Sequence, residues 1–271
     1  MITEKQRAQR ARFIGSSDIP AIVGLDPWRG PGDVYLEKTQ MLTENPEPSA
    51  AVQVGQRLER TLAGWAAESL GLACRRNVRR VHKQFSFLAA NLDAVLADKS
   101  VLEIKTSARG EEWGEPHEGS AALPPRVLAQ VYFQIQVAES PRAYVGALLS
   151  GRGGFRFNVY RVEPAPDIQT MLEQKAVEFW NSFVIPRIPP PEAPRIDSLE
   201  RMIREPGKRV EIAPALIEEY LAARERAKAA LTTRAAAMIT VMSLESPSKA
   251  CLAGTTPSTI PASSEARAIR S

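Results

Sequence analysis

The sequence predicts a mixed α/β fold, a central mixed β-sheet flanked by helices, and three observations carry that prediction. Two stretches, 85–106 and 142–162, are rich in β-branched and aromatic residues, and each is divided by a short polar turn, "ADKS" in the first and "SGRGG" in the second. That is how hairpins read. Segments at 52–70, 125–139 and 166–184 instead carry apolar residues at helical spacing. The two kinds alternate as helix, hairpin, helix, hairpin, helix, the order of a sheet covered by helices. A chain of 271 residues, 44% hydrophobic, can bury a core under such layers.

Taken in order, "SSDIPAIV" at 16–23 reads as a helix start, with Ser16 or Ser17 as N-cap, Pro20 in the first turn and Gly24 as the stop. "DPWRGPGDVYLEKTQML" follows as a turn and a short amphipathic helix. Val54, Leu58, Leu62, Trp65 and Ala66 share one stripe of a helix over 52–70 that ends at Gly71. After the first hairpin, a polar loop at 108–123 is expected to be mobile. Pro124 and Pro125 then open a helix with Leu128, Val131, Tyr132, Ile135 and Ala138 on its apolar side. The second hairpin and the helix of 166–184 complete a domain expected to span 1–190. A proline-rich linker, "IPRIPPPEAPR" at 185–195, straddles its end, and the remainder of that linker with a charged helix over 213–230 makes up 191–242. Residues 243–271 have the Ser/Thr/Pro composition of disorder.

Composition narrows the function classes. Cys74 and Cys251 give neither metal spacing nor a disulfide framework, which fits a reducing compartment. No run of about 18 apolar residues occurs, and the charged N-terminus lacks an apolar signal core, so a soluble cytoplasmic protein is expected. The net charge is +4, with basic clusters at 7–12 and 74–80, which favours a polyanionic partner. His82 and His117 lack a ligand partner at useful spacing and are expected at the surface. No helix-turn-helix, zinc-finger or Rossmann glycine pattern is present.

The stretch "NLDAVLADKSVLEIKTS", 91–107, puts charges where a sheet buries its residues. Glu103 and Lys105, two apart on a strand, share a face, while Leu102 and Ile104 point the other way. Asp93 and Glu103 are similarly distant from the turn, so pairing of the strands brings them together. Two adjacent carboxylates repel, and a hard divalent cation such as Mg²⁺ or Mn²⁺ relieves the conflict while keeping open positions for water and phosphate oxygens. Lys105 would orient a water or neutralise charge on a phosphate. Glu59 lies beside the stripe of its helix, where it either pairs with Arg57 or Arg60 or serves the carboxylates. Gln130 and Gln134, four apart on one face, either satisfy backbone groups or position a water or phosphate oxygen.

Four segments resemble, in the same order, the YqaJ-like viral recombinase family, the group that includes phage lambda exonuclease and carries the PD-(D/E)xK restriction-endonuclease-like core. They are "FIGSSDIPAIVGLDPWRGPGDVYLEK", "VGQRLERTLAGWAAESLG", "LDAVLADKSVLEIKTS" and "LPPRVLAQVYFQIQVAESPRAYVGALL", and the resemblance spans about 10–185. It implies an Mg²⁺-dependent exonuclease that degrades the 5′ strand of linear double-stranded DNA from an end and leaves 3′ single strands for recombination. It further implies that Asp93 and Glu103 hold metal with the Ile104 carbonyl, and that Lys105 serves the attacking water. Glu59 would support a second metal or its water shell, and Gln130 would stand beside the catalytic groups. "RARFIGSSD" is similar to the segment that holds the 5′-terminal phosphate, with Ser17 and either Arg12 or Arg10 as its charge, and a helix N-terminus with a hydroxyl and nearby Arg is an anion site in any case. A homotrimeric ring, a single-strand annealing protein as partner and a bacterial host cytoplasm are also implied. Ala94 stands where the family often has Gly, and Gln134 where a more apolar residue is usual. A repair or restriction-type endonuclease on the same core, and an inactive DNA-binding scaffold, are the alternatives.

Overall fold

The alternation around "ADKS" builds the centre of the sheet in a computed structural model that describes residues 8–43, 49–151, 154–203, 207 and 211–245. Strands β3 (Leu88–Leu96) and β4 (Val101–Ser107) form the expected antiparallel hairpin, with Ala94 opposite Leu102 and Val95 opposite Val101. Lys99 takes a positive φ of 69° in the turn, and Ser100 and Val101 fix the return, the latter through Ser140 Oγ at 3.1 Å. β4 then runs parallel to β5 (Ala143–Gly151), which turns back antiparallel as β6 (Gly154–Val162). A two-residue β1 (Ile14–Gly15) lies parallel to the start of β3. The order is β1-β3-β4-β5-β6, with β2 (Cys74–Val81) along the other side of β3.

β2 has no counterpart in the expected order of elements. Its sequence "CRRNVRRV" lacks alternation because it is an edge strand on which Val78 alone is fully buried. Arg75 and Arg76 are exposed, Arg79 lays its guanidinium over the Phe13 ring at 4.3 Å, and the pairing with β3 is carried by the backbone.

Helices cover both faces. α3 (Ala50–Leu70) is capped by Ser49, whose hydroxyl accepts the Val52 N–H, and ends at Gly71 with φ 66°, the left-handed conformation that glycine adopts without penalty. It buries Leu62, Ala63, Ala66 and Ala67 against Ala94, Leu96, Leu102 and Ile104. Val54 and Trp65, expected on this stripe, are instead about half exposed, because close approach to the sheet selects the alanine row; Trp65 stacks on Phe157 at 4.4 Å. The approach requires Gly146 on β5, where a Cβ would lie 3.2 Å from Ala66 Cβ and 3.0 Å from Ile104 Cδ1. α4 (Pro125–Ala138) is buried on nearly every side: Val131, Tyr132 and Ile135 of the expected stripe are buried, Leu128 and Ala138 partly so, and Val127, Ala129, Phe133 and Val137 are buried outside it. α5 (Pro166–Phe179) packs beside it and widens into a π turn at Trp180–Val184.

Three other expectations change. The first helix starts one residue earlier than predicted: Gly15 is its N-cap, Ser16–Asp18 forms a 3-10 turn, and α1 (Ile19–Ile22) follows. No serine side chain caps it; the carboxylate of Asp18, third in the turn, reaches back and accepts the Gly15 N–H at 2.9 Å. The loop expected to be mobile at 108–123 is held down by buried Trp113, by Arg156 donating to the carbonyls of Gly110 and Trp113, and by the Tyr160 hydroxyl donating to Gly114. His82 accepts the N–H groups of Gln84 and Phe85 on Nδ1 and faces Glu173 with Nε2 at 3.3 Å, so it is a partnered residue; His117 is exposed as expected.

Two compact units divide the chain, Met1–Arg204 and Glu205–Ser271. The first runs past the boundary expected at 190 because the proline-rich segment lies on α2 (Pro31–Lys38). Asp33 accepts the Arg195 N–H at 2.9 Å, and a Cβ at Gly32 would strike the backbone of 192–194. Leu42 and Met202 pair as an isolated bridge beyond α6 (Ile196–Glu200). The second unit contains α7 (Pro214–Glu245), longer than the expected 213–230. The tail expected to be disordered lies, from 246 onward, outside the described residues.

Candidate active site

Strand parity on β4 separates the two roles of its residues. Leu102 and Ile104 enter the core beneath α3. Glu103 and Lys105 project toward α4, where Gln130 and Gln134 meet them one turn apart. Glu103 is 3% exposed, and both its oxygens are bonded. Oε1 accepts from the Lys105 ammonium and from Gln130 Nε2, the latter at 2.7 Å; Oε2 accepts from Gln134 Nε2 at 2.6 Å. Lys105 also donates to Gln130 Oε1 at 3.0 Å, closing a ring of three side chains. Burial works against the Lys105 charge, but the charge of Glu103 and the bond to it more than offset this, and the ammonium is held above the ordinary lysine range.

Asp93 stands alongside on β3. Its Oδ2 accepts the Ile104 N–H at 2.7 Å, which ties the two strands at the point where the carboxylates converge. Burial first, and then the charge of Glu103, push the Asp93 carboxyl up to about 8, against the pull of Lys105 and of the Ile104 N–H. Glu59, half-buried on α3, is raised by burial and by the same Glu103 charge, while Arg76 and Lys105 draw it back. Its link to the centre is therefore electrostatic. Asp93, Glu103, Lys105 and Gln130 are brought together, and Ile104 supplies backbone between two of them.

From Asp93 and Gln130 a cavity of about 450 Å³ runs to Gly15, Ser16, Ser17 and Arg10. Ser17 is exposed at its wall, and Arg10 lines it; Arg12 is exposed and does not line it. The floor holds a charged cluster that the sequence does not announce. Asp18 accepts from Lys38 at 2.5 Å and from Arg29 at 3.0 Å, Arg29 also reaches Glu37 at 2.7 Å, and Arg29 Nη1 donates to the Ser17 carbonyl at 3.3 Å. Although burial alone would raise it, Asp18 is held well below the ordinary carboxylate range by Lys38 and Arg29; burial keeps Glu37 high despite Arg29. Gln134 bridges this region to the carboxylates, since its Nε2 also lies 3.4 Å from Ser16 Oγ.

Among the described residues no three of His, Cys, Asp and Glu form a closed metal cage. The donor set nevertheless fits a hard divalent cation. Asp93 and Glu103 are neighbouring oxygen donors, Asp93 raised first by burial and then by the Glu103 charge, and the Lys105 ammonium already sits on Glu103 as a cationic stand-in. Mg²⁺ needs only one or two carboxylates and keeps waters elsewhere.

Comparison with known proteins matches the YqaJ-like viral recombinase domain to residues 5–141. The uncharacterised protein YqaJ of Bacillus subtilis (strain 168) is 28% identical over 183 residues, which cover 65% of this chain; the chain spans 55% of that relative's length. An alkaline exonuclease (LHK-Exo) from Laribacter hongkongensis superposes with a TM-score of 0.54 at 15% identity, covering 66% of this chain and 92% of its own, and the structure of LHK-Exo in complex with dAMP does so with the same values. The likeness extends the fold to a known structure.

Proposed function

The chain belongs to the YqaJ-like viral recombinase domain family, and from that footing we propose that it is a metal-dependent deoxyribonuclease acting on the ends of linear double-stranded DNA. The observation that carries the reading is the Glu103–Lys105–Gln130 ring beside Asp93, opening onto a cavity that leads to Ser17 and Arg10. Asp93, Glu103 and the Ile104 carbonyl would hold Mg²⁺, with Mn²⁺ as a substitute, and Glu59 would act on the water shell nearby. Such an ion supplies charge neutralisation at a phosphate and a more acidic water.

The chain's own residues do the rest. Lys105, kept protonated by Glu103, faces the phosphate as a fixed positive charge and orients the water that attacks phosphorus. Gln130 holds both Lys105 and Glu103 and so fixes their spacing. Gln134 pins the second Glu103 oxygen. Ser17 and Arg10 are suited to a 5′-terminal phosphate, with Arg12 further out; a 5′-to-3′ direction and 3′ single-stranded products for recombination follow from that polarity and from the family. A trimeric ring and a single-strand annealing partner belong to the same reading.

An inactive scaffold has no use for two adjacent carboxylates at such electrostatic cost. Lys105→Ala tests the assignment: cleavage of linear duplex should fall by at least about a hundredfold, the scale of losing one preorganised electrostatic donor, with unchanged circular dichroism and DNA binding. Cleavage retained in that variant would refute it.

A further inference from the structure

Trp28 lies outside the core, 52% exposed, in the loop between α1 and α2. Among the described residues its ring contacts are two guanidinium groups, Arg126 at 5.1 Å and Arg109 at 5.5 Å from the ring centroid. Both arginines are held by one carboxylate: Glu112 Oε1 accepts from Arg109 Nη1 at 3.2 Å, and Glu112 Oε2 forms an ion pair with Arg126 Nη1 at 2.7 Å. The loop itself is fixed. Trp28 N–H donates to Asp26 Oδ1 at 2.8 Å, Arg195 donates to the Pro27 carbonyl at 2.9 Å, and the next residue, Arg29, is anchored on Asp18 and Glu37.

Each part of this cluster is one step from the candidate centre. Arg126 precedes Gln130 by four residues on α4, which places it on the same helix face about 6 Å away. Arg109 follows Lys105 by four residues on the chain leaving β4. Arg29, beside Trp28, forms part of the cavity wall. An indole kept in water and flanked by cations, next in sequence to the cavity-lining Arg29 and with Arg126 near enough to act on the charge of Lys105, has the make-up of a stacking surface, since every base offers a π face and every phosphate a charge for Arg. Within a duplex each base face is covered by its neighbours. A face becomes available only where a base is unpaired.

We propose that Trp28, with Arg109 and Arg126, forms a platform for an unpaired nucleobase and its flanking phosphates beside the site. The inference rests on the nuclease reading and adds the form of DNA end that the site engages. One guanidinium swings from the ring to a phosphate as the base takes its place.

The test uses the full chain carrying Lys105→Ala, so that DNA survives, and measures affinity by anisotropy at one salt concentration for a blunt duplex and for the same duplex with a four-nucleotide unpaired arm. Trp28→Ala should weaken binding of the armed duplex about tenfold, the effect of losing one base stack, and of the blunt duplex by less than about twofold, while Trp28→Phe keeps most of the affinity. Quenching of tryptophan fluorescence by the armed duplex should shrink in Trp28→Phe. Equal affinity of Trp28→Ala and its parent for the armed duplex would overturn the inference, as would an equal loss on both duplexes, which marks a general contact. Cleavage of blunt duplex by the unsubstituted chain reports on the nuclease reading separately: if it persists, the platform alone has failed, and if the chain neither binds nor cuts DNA, both have.

Discussion

Asp93 and Glu103 make ionisation of one costly to the other, and the cost has a measurable sign. The folded chain keeps a proton on Asp93 up to about 8, whereas an unfolded aspartate has released it near its ordinary value of 3.8. Between those values the native state binds more protons, so the metal-free fold loses stability as pH rises through that window. Thermal denaturation in chelator should therefore give a Tm that falls from about pH 5 to about pH 8, and Asp93→Asn should flatten that slope. Divalent cation should restore Tm most at the alkaline end, because a carboxylate must lose its proton to serve as ligand. At this scale the sequence was informative where parity sufficed: Glu103, Lys105 and their neighbourhood with Asp93 follow from period-two alternation and a four-residue turn. Gln134 carried a weaker signal, since an amide within an apolar helix needs a partner when buried. Asp18, Arg29 and Lys38 carried none, because their pairing spans 11 to 20 residues and depends on the turn between α1 and α2.

The elements that position the site depend on two close fits. α3 lies on the sheet because Gly146 leaves room for Ala66 and Ile104, and α3 carries Glu59. Gly146→Val should cost about 1–3 kcal/mol in urea denaturation through overpacking, and its cleavage should drop further than the residual folded fraction explains. The 3-10 turn at Ser16 is fixed by Asp18, whose loss leaves Lys38, with a side chain 4% exposed, without its charge partner. Asp18→Ala should lower stability by about 3–5 kcal/mol, the penalty of breaking a buried pair. Helix periodicity located α3 and α4 within a few residues, yet it assigned the α3 stripe to Val54 and Trp65 because it weighs hydrophobicity and not the space that a glycine on the facing strand creates. β2 was missed for the converse reason: an edge strand pairs through its backbone and leaves few apolar residues to read.

Across the whole molecule, basic residues include the exposed Arg75, Arg76 and Arg79 on the edge strand β2, Arg10 and Arg29 at the cavity, and Arg109 and Arg126 against Trp28. If they neutralise phosphates, DNA affinity of the Lys105→Ala chain should fall linearly on a log–log plot against salt, with a slope near −0.9 for each phosphate contacted; a flat response would remove them from the DNA path. Composition pointed toward such a partner, but the placement of Arg10 and Arg29 at the cavity required the fold. The central claim, that Asp93, Glu103 and Lys105 hydrolyse DNA from an end, is tested most directly with linear duplex phosphorylated at only one 5′ end, incubated with and without Mg²⁺ beside Lys105→Ala. The account predicts Mg²⁺-dependent loss of the phosphorylated strand first, absent in the variant. Equal degradation by the variant, or cutting of closed circles as fast as linear DNA, would contradict it.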